Sequence, residues 1–91
     1  MQLALEHRPD LSRFQAVVGE ETCVANYRIG DGVMRMTHTE VPASLRGRGI
    51  AARLVAFALD EARAKGLKVE PLCSYVQRYM QRHPVTDDLR A

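Results

Sequence analysis

Two glycines alternate with two arginines at residues 46–49, directly before a long alanine-rich apolar run. Glycine is costly beside a helix unless the backbone must turn sharply or another group must approach it closely. The first turn of a helix leaves N–H groups without partners, and the helix dipole adds roughly half a positive charge there. Because glycines let a phosphate reach such N–H groups, the segment Arg46-Gly47-Arg48-Gly49 predicts an anion-binding turn, to which Arg53 adds charge.

The same segment is also compatible with a plain strand-to-helix turn whose arginines are simply exposed. Two well-known phosphate motifs do not fit it. The P-loop ends in Gly-Lys-Ser/Thr, which this chain lacks. The dinucleotide fingerprint needs three spaced glycines, and only Gly47 and Gly49 are present here.

A histidine and a cysteine stand near the ends of two predicted strands, where α/β sheets usually bind ligands. His38 can act as a base at neutral pH, because the ordinary pKa of histidine is about 6.5. Cys73 directly precedes a predicted helix, a position that lowers the pKa of a thiol and favours the thiolate. Each also has a structural interpretation, His38 as an ordinary strand residue and Cys73 as a small hydrophobe. Glu40 is an alternative base.

Alternating apolar and polar residues predict strands at residues 2–6, 13–18 and 22–29, and a β-branched and Met-rich composition predicts a further strand at 33–41. Cys23 falls on the apolar side of its strand and is expected in the core. Short turns that contain glycine separate the second, third and fourth strands, which indicates hairpins.

The second half of the chain alternates helix and strand. A wide apolar face predicts a helix at 50–65 that ends at Gly66, and a strand follows at 67–73. A second helix is predicted at 75–82, with Ser74 as its N-cap and Gln77 completing a capping box. A crossover of this kind makes the strands on either side of the first helix parallel neighbours. The predicted fold class is α+β, or mixed α/β: a single twisted, mostly antiparallel sheet with a β-α-β crossover and two main helices.

Composition excludes several classes of protein. With 91 residues, the chain is expected to form one domain, residues 1–91. The sequence contains no apolar run of the roughly 20 residues that a membrane span needs, and a cytoplasmic location is expected. Two cysteines without paired spacing do not predict a zinc site, and both are expected to be free thiols. A net charge of +2 permits an anionic ligand but does not require nucleic acid.

The hexapeptide Arg46-Gly47-Arg48-Gly49-Ile50-Ala51 resembles the Gln/Arg-x-x-Gly-x-Gly/Ala signature of the GNAT superfamily of acyl-CoA-dependent N-acyltransferases. The segment "HTEVP" precedes it, a helix follows, and "PLCSYVQRYMQRHP" comes later. Together these segments resemble the group of minimal GNAT-like domains, and the resemblance covers roughly residues 13–89. The chain departs from larger GNAT enzymes because it lacks the two helices that usually separate their first two strands.

The resemblance implies a function for the turn and for the two reactive side chains. It implies that acetyl-CoA is the acyl donor, that the turn holds the CoA pyrophosphate, and that His38 and Cys73 are the functional pair. It also implies that the strand of Val41 diverges from that of Cys73, and that the gap admits the pantetheine arm. The cofactor-binding residues predicted in this way are Val41, Arg46, Gly47, Arg48, Gly49, Ile50, Ala51 and Tyr79.

The function implied is acetyl-CoA-dependent N-acetylation of an amine acceptor, either a small molecule or a protein. Transfer through an acetylated Cys73 and direct attack of the amine on acetyl-CoA both remain open. A non-catalytic acyl-CoA-binding module is the main alternative. Nucleic-acid binding through Arg46, Arg48 and Arg53 is disfavoured, because five Phe and Tyr residues do not provide a stacking platform.

Overall fold

The computed structural model describes residues 3–91, which form a five-stranded sheet and two α-helices. The strands are β1 (Ala4–Arg8), β2 (Arg13–Val18), β3 (Glu21–Gly30), β4 (Val33–Glu40) and β5 (Lys68–Pro71). The helices are α1 (Ile50–Ala64) and α2 (Ser74–Arg82), and short 3-10 helices lie at Pro9–Leu11, Ala43–Leu45 and Pro84–Leu89. Within this described part of the chain, no helix has the length and apolar composition to cross a membrane.

The strands lie in the sheet in sequence order, β1-β2-β3-β4-β5. Each pair of neighbours among the first four strands is antiparallel, and β5 is parallel to β4 after the crossover through α1. This topology confirms the predicted α+β class with its single, mostly antiparallel sheet. The first strand begins later than predicted, at Ala4, and residue 2 of the prediction lies outside the described residues.

The core lies between one face of the sheet and the two helices. Alternation in β2 and β3 buries Phe14, Ala16, Cys23, Ala25 and Tyr27 against α1. The predicted apolar face of α1 is buried as expected, and its members are Ile50, Leu54, Val55, Ala58, Leu59 and Ala62. Val76 and Met80 of α2 complete the same cluster. Cys23 is fully buried, which confirms its predicted place in the core.

A polar network fastens the edge strand β1 to the rest of the molecule. The ring of His7 stacks on Phe14 with 4.2 Å between centroids. Its Nε2 lies 2.6 Å from the hydroxyl of Tyr27, and its Nδ1 lies 3.2 Å from a carboxylate oxygen of Glu61 on α1. Through its two nitrogens, the imidazole therefore links β1, β3 and α1. Both nitrogens of this partly buried side chain thus have hydrogen-bond partners.

A β-bulge interrupts the pairing of β3 with β4. Asn26 pairs with His38 and Tyr27 pairs with Met36, so Thr37 is an extra residue on β4. A bulge of this kind reverses the alternation of side chains along the strand. Before it, Met36 points into the core, and beyond it Thr39 is half-buried while His38 is exposed. The predicted strand at 33–41 is therefore correct in extent to within one residue. After Thr37, however, the alternation of buried and exposed side chains is reversed.

The C-terminal end of α1 agrees with the sequence prediction, and the N-terminal start of α2 differs from it. After α1, the left-handed Gly66 and the bond from the N–H of Leu67 to the carbonyl of Ala62 form the predicted C-terminal cap. The prediction that Ser74 caps α2 is wrong, because Ser74 is already the first helical residue and Cys73 precedes the helix. The N–H of Gln77 donates to the carbonyl of Cys73, and none of the described side chains caps the helix.

Truncating the buried face of α1 should destabilise the protein strongly. Leu54 is 1% exposed, so Leu54→Ala is expected to lower the free energy of unfolding by about 2–5 kcal/mol through lost burial and a cavity. Urea unfolding followed by circular dichroism would measure this change. The matched control is Asp60→Ala on the exposed side of the same helix, expected within about 0.5 kcal/mol of wild type. Equal stability of the two variants would contradict the assigned core face.

Candidate active site

The candidate site lies where β4 and β5 separate. Their parallel ladder runs from Val33–Lys68 to Met36–Pro71 and ends there. The N–H groups of Leu72 and Cys73 both donate to the carbonyl of Met36, each at 3.0 Å, so β5 makes no further step along β4. Beyond that point, among the strands of residues 3–91, β4 pairs only with β3. The predicted divergence between the strands that lead to Val41 and Cys73 is confirmed.

The glycine-arginine turn lies beside this gap and leads into α1. Gly47 and Gly49 have φ angles of +80° and +73°, which glycine adopts without the strain that a side chain brings. The space where a Cβ would stand on either residue is open. The guanidinium of Arg46 donates from Nε to the carbonyl of Val41 at 3.1 Å and so holds the turn against the end of β4.

A cavity of about 340 Å³ connects the turn with the end of β4. It is lined by Thr39, Val41, Leu45, Arg46, Gly47, Gly49, Ile50, Ala51 and Tyr75. Six of the eight cofactor-binding residues predicted from the sequence are among them. The other two are Arg48, which lies in the same turn, and Tyr79. The structure thus gathers the predicted anion-binding residues around one opening at the N-terminus of α1.

The tyrosine that faces this cavity is Tyr75, not Tyr79. The ring of Tyr79 instead stacks on His83, with 4.0 Å between centroids, and lines two other cavities. The two tyrosines are four residues apart and share one face of α2, so spacing could not separate them. What distinguishes them is the cavity that each lines: Tyr75 lines the cavity beside the glycine turn, and Tyr79 does not.

Cys73 lies half-buried at the start of α2, and its Sγ is 3.5 Å from the Oγ1 of Thr39 across the gap. Burial raises the pKa of Cys73. The hydroxyl of Thr39 and the backbone N–H groups of Val76 and Tyr75 lower this pKa and together outweigh burial, so its net shift is downward. Neither N–H makes a full hydrogen bond to the sulfur, yet both stabilise negative charge there.

Thr39 is the neighbour of Cys73 that the sequence did not reveal. An uninterrupted strand would put His38 on the same face as the buried Met36. Because of the bulge at Thr37, Thr39 rather than His38 lies on that face. No sequence signal marks this bulge, because a threonine in a strand is ordinary.

His38 belongs to the opposite face of β4. Its Nε2 lies 3.6 Å from a carboxylate oxygen of Glu40, and the two side chains are 57% and 70% exposed. Adjacent residues of a strand point to opposite faces, so His38 points away from the side where Thr39 meets Cys73. The two candidate bases therefore share one side of β4, and the candidate nucleophile lies on the other.

Comparison with known proteins agrees with this geometry. Residues 13–89 match the family model of the GCN5-related N-acetyltransferases. The chain belongs to this family. Among solved structures, the solution NMR structure of a GCN5-like protein from Staphylococcus aureus superposes with a TM-score of 0.77, covering 98% of this chain and 88% of that one. At 22% identity, that likeness establishes the fold of this GCN5-related chain and nothing beyond it.

Curated relatives match over a shorter stretch. Protein NATD1 from Gallus gallus and Protein NATD1 from Homo sapiens are each 40% identical over 57 residues. The match covers 63% of this chain and 52% and 50% of those two proteins. This GCN5-related chain thus aligns with about half the length of the curated relatives it matches.

Removing the hydroxyl of Thr39 should make Cys73 less acidic. Thr39→Val deletes a hydrogen-bond donor to the sulfur, so the pKa of Cys73 should rise and less thiolate should be present near neutral pH. The pH at which alkylation by iodoacetamide reaches half its maximal rate should move upward, with peptide mapping to separate Cys73 from the buried Cys23. Thr22→Val, at an exposed position on the neighbouring strand β3, is the control and should leave the midpoint unchanged. An unshifted midpoint in Thr39→Val would contradict the assignment.

Proposed function

We propose that this chain is an acetyl-CoA-dependent N-acetyltransferase that transfers an acetyl group to an amine acceptor. The observation that carries the proposal is the position of the glycine turn. It places the N-terminus of α1 directly beside the gap between β4 and β5. CoA carries a pyrophosphate followed by a pantetheine arm. The turn suits the pyrophosphate, and the gap suits the pantetheine arm.

The pyrophosphate would be held by residues 46–51. A diphosphate must approach backbone N–H groups closely, and the open space beside Gly47 and Gly49 permits that approach. The N–H groups of Ile50 and Ala51 are in the first turn of α1 and have no intrahelical acceptor. The guanidinium of Arg46 adds positive charge at the same opening. The residues present therefore fit a phosphate ligand.

The pantetheine arm would occupy the gap. In the described part of the chain, the edge of β4 that faces β5 has no ladder partner beyond Met36, which leaves backbone groups for a ligand to use. Pantetheine contains two amide groups, and an extended amide-containing chain can add to such an edge as a strand does. Thr39 and Val41 would form the wall of this channel, with the acyl end near Cys73.

Two routes of transfer are compatible with the site. In the first, the Cys73 thiolate attacks the thioester carbonyl, a new S–C bond forms, and CoA leaves as a thiolate. An amine then attacks the acetyl group on Cys73, an N–C bond forms as the S–C bond breaks, the Cys73 thiolate leaves, and solvent takes the proton that the amine loses. In the second, the amine attacks the thioester carbonyl of acetyl-CoA directly, an N–C bond forms as the S–C bond breaks, CoA leaves as a thiolate, and His38 or Glu40 removes the proton of the amine. The second route requires the acceptor to approach from the face of β4 that carries those two side chains.

A non-catalytic acyl-CoA-binding module is the second candidate. It is favoured by the exposure of His38 and Glu40, since a general base usually works in a site that excludes water. The two candidates differ in turnover. Consumption of acetyl-CoA in the presence of an amine supports the enzyme, and binding without consumption supports the module.

A side chain at Gly49 should block CoA binding. Gly49→Asn suits the test because asparagine tolerates the left-handed conformation better than other residues, while its amide would fill the space beside the turn. We expect the affinity for CoA, measured by isothermal titration calorimetry, to fall at least about tenfold, the equivalent of one lost charge-assisted hydrogen bond.

The matched control is Gly19→Asn in the turn between β2 and β3. Gly19 also has a positive φ angle, +60°, and open space around it, so both substitutions impose similar strain. This control should bind CoA as the wild type does. Unchanged affinity in a folded Gly49→Asn variant would contradict the proposed phosphate site.

The covalent route predicts an acetylated intermediate. Incubation with acetyl-CoA alone should add the mass of one acetyl group, which peptide mapping should locate at Cys73, because this thiol has a lowered pKa and the other cysteine is buried. Cys73→Ser should lose rapid labelling. If no adduct forms and Cys73→Ala turns over normally, the covalent route is wrong and direct transfer with His38 or Glu40 as base takes its place.

A further inference from the structure

The face of the sheet opposite the two helices carries the two candidate bases. Both helices pack with the hydrophobic core against one face, and neither covers the other. Alternation places Arg28 and Arg35 on this uncovered face, and the bulge places His38 and Glu40 there as well. We call this surface the open face. It is the side from which direct transfer requires the acceptor to approach.

The open face has a positive charge that the protein leaves uncompensated. Arg28 and Arg35 lie directly opposite each other on β3 and β4, and like charges so placed destabilise a pair of strands. Arg35 is compensated, because its Nε lies 3.3 Å from a carboxylate oxygen of Glu70. Arg28 is exposed, and its guanidinium has no ion-pair partner in the described part of the chain. An anion bound at Arg28 would therefore reduce a repulsion between the two strands.

Arg28 lies close to the candidate bases. Asn26 pairs directly with His38, and Arg28 follows two residues along β3 on the same face. Diagonal neighbours of this kind are about 7–8 Å apart. Glu40 lies on the other side of His38, and its carboxylate is 3.6 Å from the Nε2 of that histidine. The open face thus presents a carboxylate for an ammonium group and, beyond His38, a guanidinium for an anion.

An extended peptide matches this spacing. The first and third residues of an extended chain point to the same side and are about 7 Å apart, so an N-terminal amine and a third side chain can reach both groups. The α-amine of a peptide has an ordinary pKa of about 7.7–8.0, against about 10.4 for lysine. It is therefore partly neutral near pH 7, and it makes the smaller demand on two bases that are exposed to water.

We propose that the acceptor is the free N-terminal amine of a peptide with an acidic residue at its third position, and that Arg28 binds the acidic side chain. The inference rests on the proposed function, because it assumes direct transfer from bound acetyl-CoA. The amine attacks the thioester carbonyl, an N–C bond forms as the S–C bond breaks, CoA leaves as a thiolate, and His38 or Glu40 takes the proton of the amine. Arg28 contacts the acceptor away from the reacting atoms and so determines specificity.

The test compares two tetrapeptide amides, Ala-Ala-Glu-Ala and Ala-Ala-Gln-Ala, which differ only in the charge of the third side chain. The dissociation constant of each is measured by NMR titration in the presence of CoA, and kcat/KM for its acetylation is measured with acetyl-CoA. The wild type should bind the acidic peptide about fivefold more tightly, because an exposed ion pair contributes little. Its kcat/KM for that peptide should be higher by the same factor.

Variants of Arg28 should change this preference in a defined way. Arg28→Gln should abolish it and leave kcat/KM for the neutral peptide unchanged. Arg28→Glu should reverse it, so that Ala-Ala-Arg-Ala becomes a better acceptor than Ala-Ala-Glu-Ala, which a purely structural role would not produce. The control is Arg90→Gln, which removes an exposed charge beside β5 and should keep the fivefold preference. Because both arginines are exposed, circular dichroism should show the unfolding midpoint of wild type in every variant.

The outcomes separate this inference from the proposed function. Equal values of the wild type for the acidic and neutral peptides, or an undiminished preference in Arg28→Gln, would overturn the inference. So would binding of the acidic peptide without its acetylation, or a failure of that peptide to bind. In each of these cases the proposed function stands if the chain binds CoA and acetylates another amine. Failure of the wild type to bind CoA would refute the proposed function, and the inference with it.

Discussion

The extra residue in β4, Thr37, sets the geometry on which the candidate site depends. A bulge bends its strand and increases the local twist, and here the ladder with β5 ends at the residue just before it. The same extra residue turns Thr39 toward Cys73 and leaves His38 on the opposite face. One irregularity therefore accounts both for the gap between the strands and for the chemical character of its two sides.

Two helix N-termini meet at this edge of the sheet. The first turn of α1 lies beside the glycine turn, and the first turn of α2 lies beside the sulfur of Cys73. Each terminus carries unpaired N–H groups and partial positive charge, so the edge favours anions at two points. The buried face of α1 fixes the first terminus against the sheet, and the bonds from Leu72 and Cys73 to Met36 fix the second.

The regular elements could be predicted from the sequence because each depends on local patterns. Alternation located the strands, the apolar face located α1, and Gly66 marked its end. The bulge could not be predicted, since Thr37 is as suited to a regular strand as to a bulge. The prediction of Ser74 as the N-cap fails for a tertiary reason. The N–H of Cys73 bonds the carbonyl of Met36, and α2 begins at Ser74, one residue earlier than predicted. Packing likewise determines that Tyr75, rather than Tyr79, faces the turn.

The most direct test of acetyl-CoA binding at this site is an NMR titration of the ¹⁵N-labelled chain with acetyl-CoA. The largest amide shifts are expected in the turn at 46–51 and along both sides of the gap, at 37–41 and 72–75. An unchanged spectrum would contradict binding of acetyl-CoA at this site. So would shifts confined to the cavity of about 410 Å³ between the two helices and the last 3-10 helix, where Asp60, Arg63 and Asp88 lie.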